Sequence, residues 1–146
     1  MLSRLRAVFA SLNSHEVKYL VIGGTAAVLY GVPRATFDLD ILIETSPENA
    51  QRLLIALLAA DFGTAALIEA EELLLHEITV FRDRYRIDVQ TSTPGLRFED
   101  AWPRRTQMSF EGVPFWVASC EDLIASKRAS GRKVDLEDVR ILEARK

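Results

Sequence analysis

The sequence predicts a single α+β (α/β) domain in which helices pack against one β-sheet. Short apolar segments ended by glycine or proline alternate with stretches of helical period, and two pairs of strand-like segments surround Asp83–Arg84 and Gly112. The 146 residues also lack any linker, repeat or low-complexity tract, and they suffice for one core but hardly for two.

Each element has a local reason. Leu2 to Leu12 spaces its apolar residues as an amphipathic helix, and "VKYLVIGG" (Val17 to Gly24) reads as a buried strand ended by glycines. Thr25 to Gly31 is a short helix closed by Gly31 and Pro33, and Thr36 to Ile43 a second strand. The next helix has Ser46 as N-cap, Pro47 at its first position and Gly63 at its end. Leu67 to Leu75 fits neither period cleanly. Glu77–Arg82 and Tyr85–Thr91 read as a hairpin, as do Thr106–Gly112 and Val113–Ser119. Two helices finish the chain: one opened by a Ser119/Asp122 capping box, and one after Gly131 with Asp135 as its N-cap.

Composition narrows the function classes. Hydrophobic residues make up 49% and charged residues 27%, and no run reaches the roughly 18 apolar residues of a membrane span. The expectation is a soluble, cytoplasmic protein without membrane contact. One cysteine, Cys120, allows no internal disulfide, and His15 and His76 are too few for a histidine-rich metal site. The net charge of −3 argues against a chain wholly devoted to nucleic acid, although "WPRRT" and "SKRASGRK" are locally basic.

The segment "RATFDLDILI" departs from ordinary strand composition, because it holds two aspartates one residue apart. In an extended chain Arg34, Thr36, Asp38 and Asp40 share one face, while Ala35, Phe37, Leu39 and Ile41 share the other. The two acidic Cα atoms would lie roughly 6.6 Å apart, close enough for both carboxylates to reach one metal ion or two adjacent ones. Like charges so placed require a cation nearby. Asp88, between Ile87 and Val89 in "RIDVQ", repeats the anomaly on another strand. Three such acids would form the oxygen-rich cage that Mg²⁺ prefers. For Asp88 a plain ion pair with Arg84 or Arg86 explains the residue equally well.

Upstream, "VIGGTAAV" places Gly23, Gly24 and Thr25 where a strand passes into a helix, so backbone N–H groups and a hydroxyl converge on an anion site. It is neither a Walker loop nor a dinucleotide fingerprint. Its value lies in Asp38 and Asp40 following soon after, since phosphate cradle and magnesium cage together are what transfer from a nucleoside triphosphate requires.

With "GGT", "FDLDI" and the later "IDV", the sequence resembles the nucleotidyltransferase superfamily that shares the DNA polymerase β-like palm. The longer stretches "VIGGTAAVLYGVPRATFDLDILI" and "EDLIASKRASGRKVDLEDVRIL" are similar to bacterial AbiEii-type and minimal nucleotidyltransferases, several of which act as toxins. The resemblance implies a nucleotidyltransferase-type mixed sheet. It assigns Asp38, Asp40 and Asp88 to Mg²⁺ or Mn²⁺, and Gly23, Gly24, Thr25 and Arg34 to the nucleotide. The substrate would be a nucleoside triphosphate. The acceptor (a tRNA end, a protein side chain or a small molecule) and an antitoxin partner stay open, because no separate substrate-binding domain accompanies these motifs.

Lys127 lies beside the apolar stripe of its helix, so it must snorkel outward or meet an anion. The resemblance places it in the active site, on the triphosphate. Asp138 fits helix capping and catalysis equally. Two rival readings of the acids exist. A haloacid-dehalogenase-type phosphatase also carries Asp-x-Asp, but its acids end a strand, whereas here "ILI" follows them. A catalytically silent module of the same fold is the stronger rival; the presence of all three acids argues against it.

Overall fold

The strand-like segments pair into one mixed sheet in the computed structural model, which describes residues 2–36 and 38–145. The strands are β1 (Tyr19–Ile22), β2 (Asp38–Ile43), β3 (Ile78–Arg82), β4 (Arg86–Gln90), β5 (Thr106–Phe110) and β6 (Val113–Val117), in the order β3-β4-β2-β1-β6-β5. The hairpins β3–β4 and β5–β6 are antiparallel, as is β1–β2, whereas β2–β4 and β1–β6 are parallel. The helices are α1 (Leu2–Ser14), α2 (Gly23–Leu29), α3 (Pro47–Ala59), α4 (Ala70–Leu75), α5 (Phe98–Ala101), α6 (Cys120–Ser130) and α7 (Lys133–Ala144).

Strand alternation sorts the side chains. Val117, Val21, Ile41 and Val89 lie in register across four neighbouring strands, and all are fully buried. Leu5, Val8, Phe9 and Leu12 of α1 share a core with this face, their spacing matching one helical stripe, and Leu53 and Leu57 of α3 join them. Asn49 locks α3 to the sheet: its amide donates to the carbonyls of Lys18 and Glu44 and accepts from the Lys18 N–H. The opposite face carries a smaller core of Leu20, Ile22, Leu42, Leu96, Phe98 and Ala101, and beside it the acids.

Several boundaries differ from the sequence reading. The second strand begins at Asp38 rather than Thr36, and Phe37, expected on its apolar face, lies outside the described residues. The third helix ends at Ala59, and Asp61 takes the left-handed conformation (φ 69°) expected nearer Gly63, which instead starts a 3₁₀ turn. Part of Leu67–Leu75 forms α4, whose Ala70 and Leu73 are buried. Ser119 accepts from the Asp122 N–H as expected, but the Asp122 carboxylate turns to Arg104 instead of completing a capping box. Helix α7 starts at Lys133 with Arg132 at its N-cap, so Asp135 is not the cap.

Candidate active site

The parallel pairing of β2 with β4 builds the acidic row. Asp40 stands in register with Asp88, and Asp38 with Arg86, all on the face opposite Leu39 and Ile41. The Arg86 guanidinium grips Asp88 with two bonds, Nε to Oδ1 at 2.7 Å and Nη2 to Oδ2 at 3.1 Å. Of Arg84 and Arg86, it is Arg86 that pairs with Asp88. One guanidinium does not neutralise three acids. Burial, with Asp88 and then Asp38 nearby, pushes the Asp40 carboxyl up to about 7 against the opposing pull of Arg86.

The glycine turn closes on this row. Ile22, the last residue of β1, is in register with Asp40, and Gly23 follows with φ at 68°. A Cβ at Gly23 would run into the Asp40 carboxylate, and one at Gly24 would come within 3.2 Å of Arg34 Nη2. Both glycines thus admit a charged side chain against the backbone. Thr25 behaves otherwise: it is fully buried, and its hydroxyl donates to the Asp38 carbonyl at 2.6 Å. In this structure the hydroxyl expected at an anion site faces the Asp38 carbonyl, so that Thr25 ties the start of α2 to the start of β2.

On the helical side, Lys127 does not snorkel. Its ammonium is buried and reaches Asp135 Oδ1 at 3.2 Å and Asp138 Oδ2 at 2.9 Å. Asp138 also receives Arg34 Nη2 at 2.9 Å, and Asp135 receives Arg132 Nε at 2.8 Å and the Ser130 hydroxyl. Burial raises the Asp135 pKa, but the hydrogen bonds from Ser130, Arg132 and Lys127 outweigh it and leave the carboxyl below its ordinary value. Asp135 and Asp138 therefore clamp α6 to α7 and hold Arg34 beside Gly24. The cue available in the sequence was that both acids fall on the inner side of α7, where capping does not require burial.

Gly23, Gly24, Arg34, Asp38, Asp40, Asp88 and Lys127 all line one cavity of about 600 Å³, together with Arg86, Arg132 and Asp135. Among the predicted site residues Thr25 does not line it. The sequence reading missed its apolar rim, Ile78 and Val134, which are half exposed despite their type.

Compared with known families, residues 2–144 match the model of DUF6036, described as a nucleotidyltransferase of unknown function. The chain belongs to this family. No curated protein matches it. Membership bears out the superfamily resemblance; the narrower AbiEii likeness is not part of that finding.

For a DUF6036 nucleotidyltransferase the fit of a metal ion can be judged from the donors. Among the described residues no three or more His, Cys, Asp or Glu side chains are grouped ready to hold one. The available set is nevertheless all carboxylate oxygen, which suits a hard divalent ion, and Asp40 stands in register with Asp88 and shares one face of its strand with Asp38. The residues fit such an ion in kind, with Arg86 standing at Asp88 in its place. Among the described residues no helix is long and apolar enough to cross a membrane.

Proposed function

We propose that this DUF6036 protein transfers a nucleoside monophosphate from a nucleoside triphosphate to an acceptor hydroxyl. The observation that carries the reading is the in-register pair Asp40 and Asp88, with the Gly23–Gly24 turn against Asp40 and the cations Arg34, Arg86 and Lys127 around one cavity. The acceptor oxygen bonds to the α-phosphorus, the bond from that phosphorus to the bridging oxygen breaks, and pyrophosphate leaves with the electron pair. The acceptor proton passes to Asp88 or to solvent.

Asp38, Asp40 and Asp88 would hold Mg²⁺ or Mn²⁺, which when bound neutralises phosphate charge and makes the acceptor hydroxyl more acidic. Gly23 and Gly24 let the triphosphate approach the backbone closely. Arg34 is held beside them by Asp138 and offers its remaining donors to phosphate. Lys127 lines the same cavity and adds positive charge while bridging the two helices. Arg86 holds the Asp88 carboxylate in place until a cation of higher charge competes for it.

A second reading has a specific observation in its favour. The Arg86–Asp88 pair closes one of the three acids, as a catalytically silent nucleotide-binding module would. Incubation with α-labelled nucleoside triphosphates and cellular RNA or protein, with Mg²⁺, Mn²⁺ or chelator, decides between them. Divalent-dependent transfer of the α-label, lost in Asp40→Asn, is the expected result; nucleotide binding without transfer to any acceptor selects the silent module. A cytoplasmic toxin role with an antitoxin partner, and the choice among tRNA end, protein and small molecule, rest on the AbiEii likeness alone.

A further inference from the structure

The arginines of the two basic stretches conspicuous in the sequence are engaged within the fold. Arg104 pairs with Asp122, Arg105 lies between the Trp102 and Trp116 rings at 3.9 and 4.4 Å, Arg128 pairs with Glu143, and Arg132 with Asp135. Further positive charge without an ion-pair partner sits on α1 and the β3–β4 hairpin. Arg4 of α1 and Arg82 and Arg84 of the β3–β4 hairpin are exposed, and among the described residues their guanidinium groups enter no ion pair or side-chain hydrogen bond.

These arginines converge. Three adjoining cavities of about 480, 440 and 490 Å³ are each lined by Arg4 and Tyr85. Asp38 lines the first two of them and the active-site cavity as well. The result is a trough that starts at one acid of the site and runs past Arg82 and Arg84, with Asp83 and Asp61 also in its lining. Tyr85 is held in it at both ends, its hydroxyl donating to the Arg4 carbonyl at 2.8 Å and its ring standing edge-on to Phe62.

We infer that this trough binds the acceptor of the proposed transfer, and that the acceptor is a nucleic-acid strand. The inference rests on the transferase reading. A chain with net charge −3 that leaves arginines unpaired along one path is arranged for a polyanion approaching that path. The guanidinium fork matches phosphate oxygens, and the Tyr85 ring offers a surface for a base. An acidic peptide would satisfy the charge. It would bring no base to stack on the Tyr85 ring, as a nucleic-acid strand does.

Anisotropy with fluorescent single-stranded RNA and DNA of about 12 nucleotides, in chelator so that no turnover occurs, tests this, with the sugar preference read from the two arms. The double variant Arg4→Ala/Arg84→Ala, exposed at both positions, should melt with the wild type, bind the strand about 10- to 100-fold more weakly and show a shallower salt dependence. Calorimetry of nucleoside triphosphate with Mg²⁺ on the same two proteins should find no difference. Loss of strand binding with nucleotide binding intact supports the assignment. Undiminished strand binding by the variant, or displacement of the strand by polyglutamate at equal charge, overturns it. A wild type that binds strand but no nucleotide overturns the transfer reading instead, and the acceptor assignment with it.

Discussion

Two charged clusters of this protein contain the same chemical groups and treat them oppositely. In the clamp between α6 and α7, Asp135 and Asp138 meet Lys127, Arg34 and Arg132, and Asp135 is held below its ordinary pKa. In the acidic row, Asp38, Asp40 and Asp88 share Arg86, and Asp40 is pushed up to about 7. Burial opposes ionisation in both and is the largest cause of the rise at Asp40, whereas at Asp135 hydrogen bonds from Ser130, Arg132 and Lys127 outweigh it. The difference is the number of cations. A balanced cluster can hold two elements together by itself, whereas a cluster short of positive charge fits the cation proposed for it.

The comparison breaks most visibly at the acids. Asp38→Ala and Asp40→Ala are each expected to abolish nucleotide transfer while the melting temperature stays level or rises slightly, because either change relieves repulsion in the absence of a cation. Assaying transfer beside thermal denaturation checks this. A comparable fall in stability for both variants would give the acidic row a structural role and erase the contrast.

The next effect belongs to the clamp. Lys127→Met nearly matches the length and apolarity of the stem but strips a buried cation from two carboxylates. A loss of about 3–5 kcal/mol is expected on urea unfolding, as for other buried pairs with one partner removed. Adding Asp135→Asn should recover part of it. A neutral Lys127→Met would mean that Arg34 and Arg132 suffice for the clamp.

The pH dependence sharpens the same point. Because the folded-state pKa of Asp135 is lowered, the stability it contributes is present above the ordinary value of 3.8 and is lost as pH falls through the depressed folded value. Wild type should therefore lose stability to acid more steeply than Asp135→Asn below about pH 4, in denaturation curves taken across that range. Parallel acid limbs would contradict the lowered pKa.

The smallest effect is expected at Thr25. Thr25→Val removes the bond to the Asp38 carbonyl and should cost about 1–2 kcal/mol, with nucleotide affinity within about twofold of wild type. A large loss of affinity at unchanged stability would return the hydroxyl to the anion site.

Local order was legible in the chain itself. Alternation along β2 places Asp38 and Asp40 on the face opposite Leu39 and Ile41 whatever the rest of the molecule does, because successive residues of a strand point to opposite sides. The glycine pair, the hairpins and the α6 N-cap likewise depend on neighbours in sequence. Which charges meet does not. The Asp40–Asp88 register comes from a parallel pairing of strands separated by α3 and β3. Asp138 reaches Arg34, and Thr25 turns inward to Asp38, only because α7 and α2 pack against the loop before β2 and its first residue. Asp135 was misread as a cap for the same reason: a cap is judged from three or four residues, whereas its burial is set by α6, an element that the local pattern does not contain. Side-chain direction follows from backbone geometry, but the balance of charge in a cleft is a sum over elements brought together by the fold, and it is that sum which separates the acidic row from the clamp.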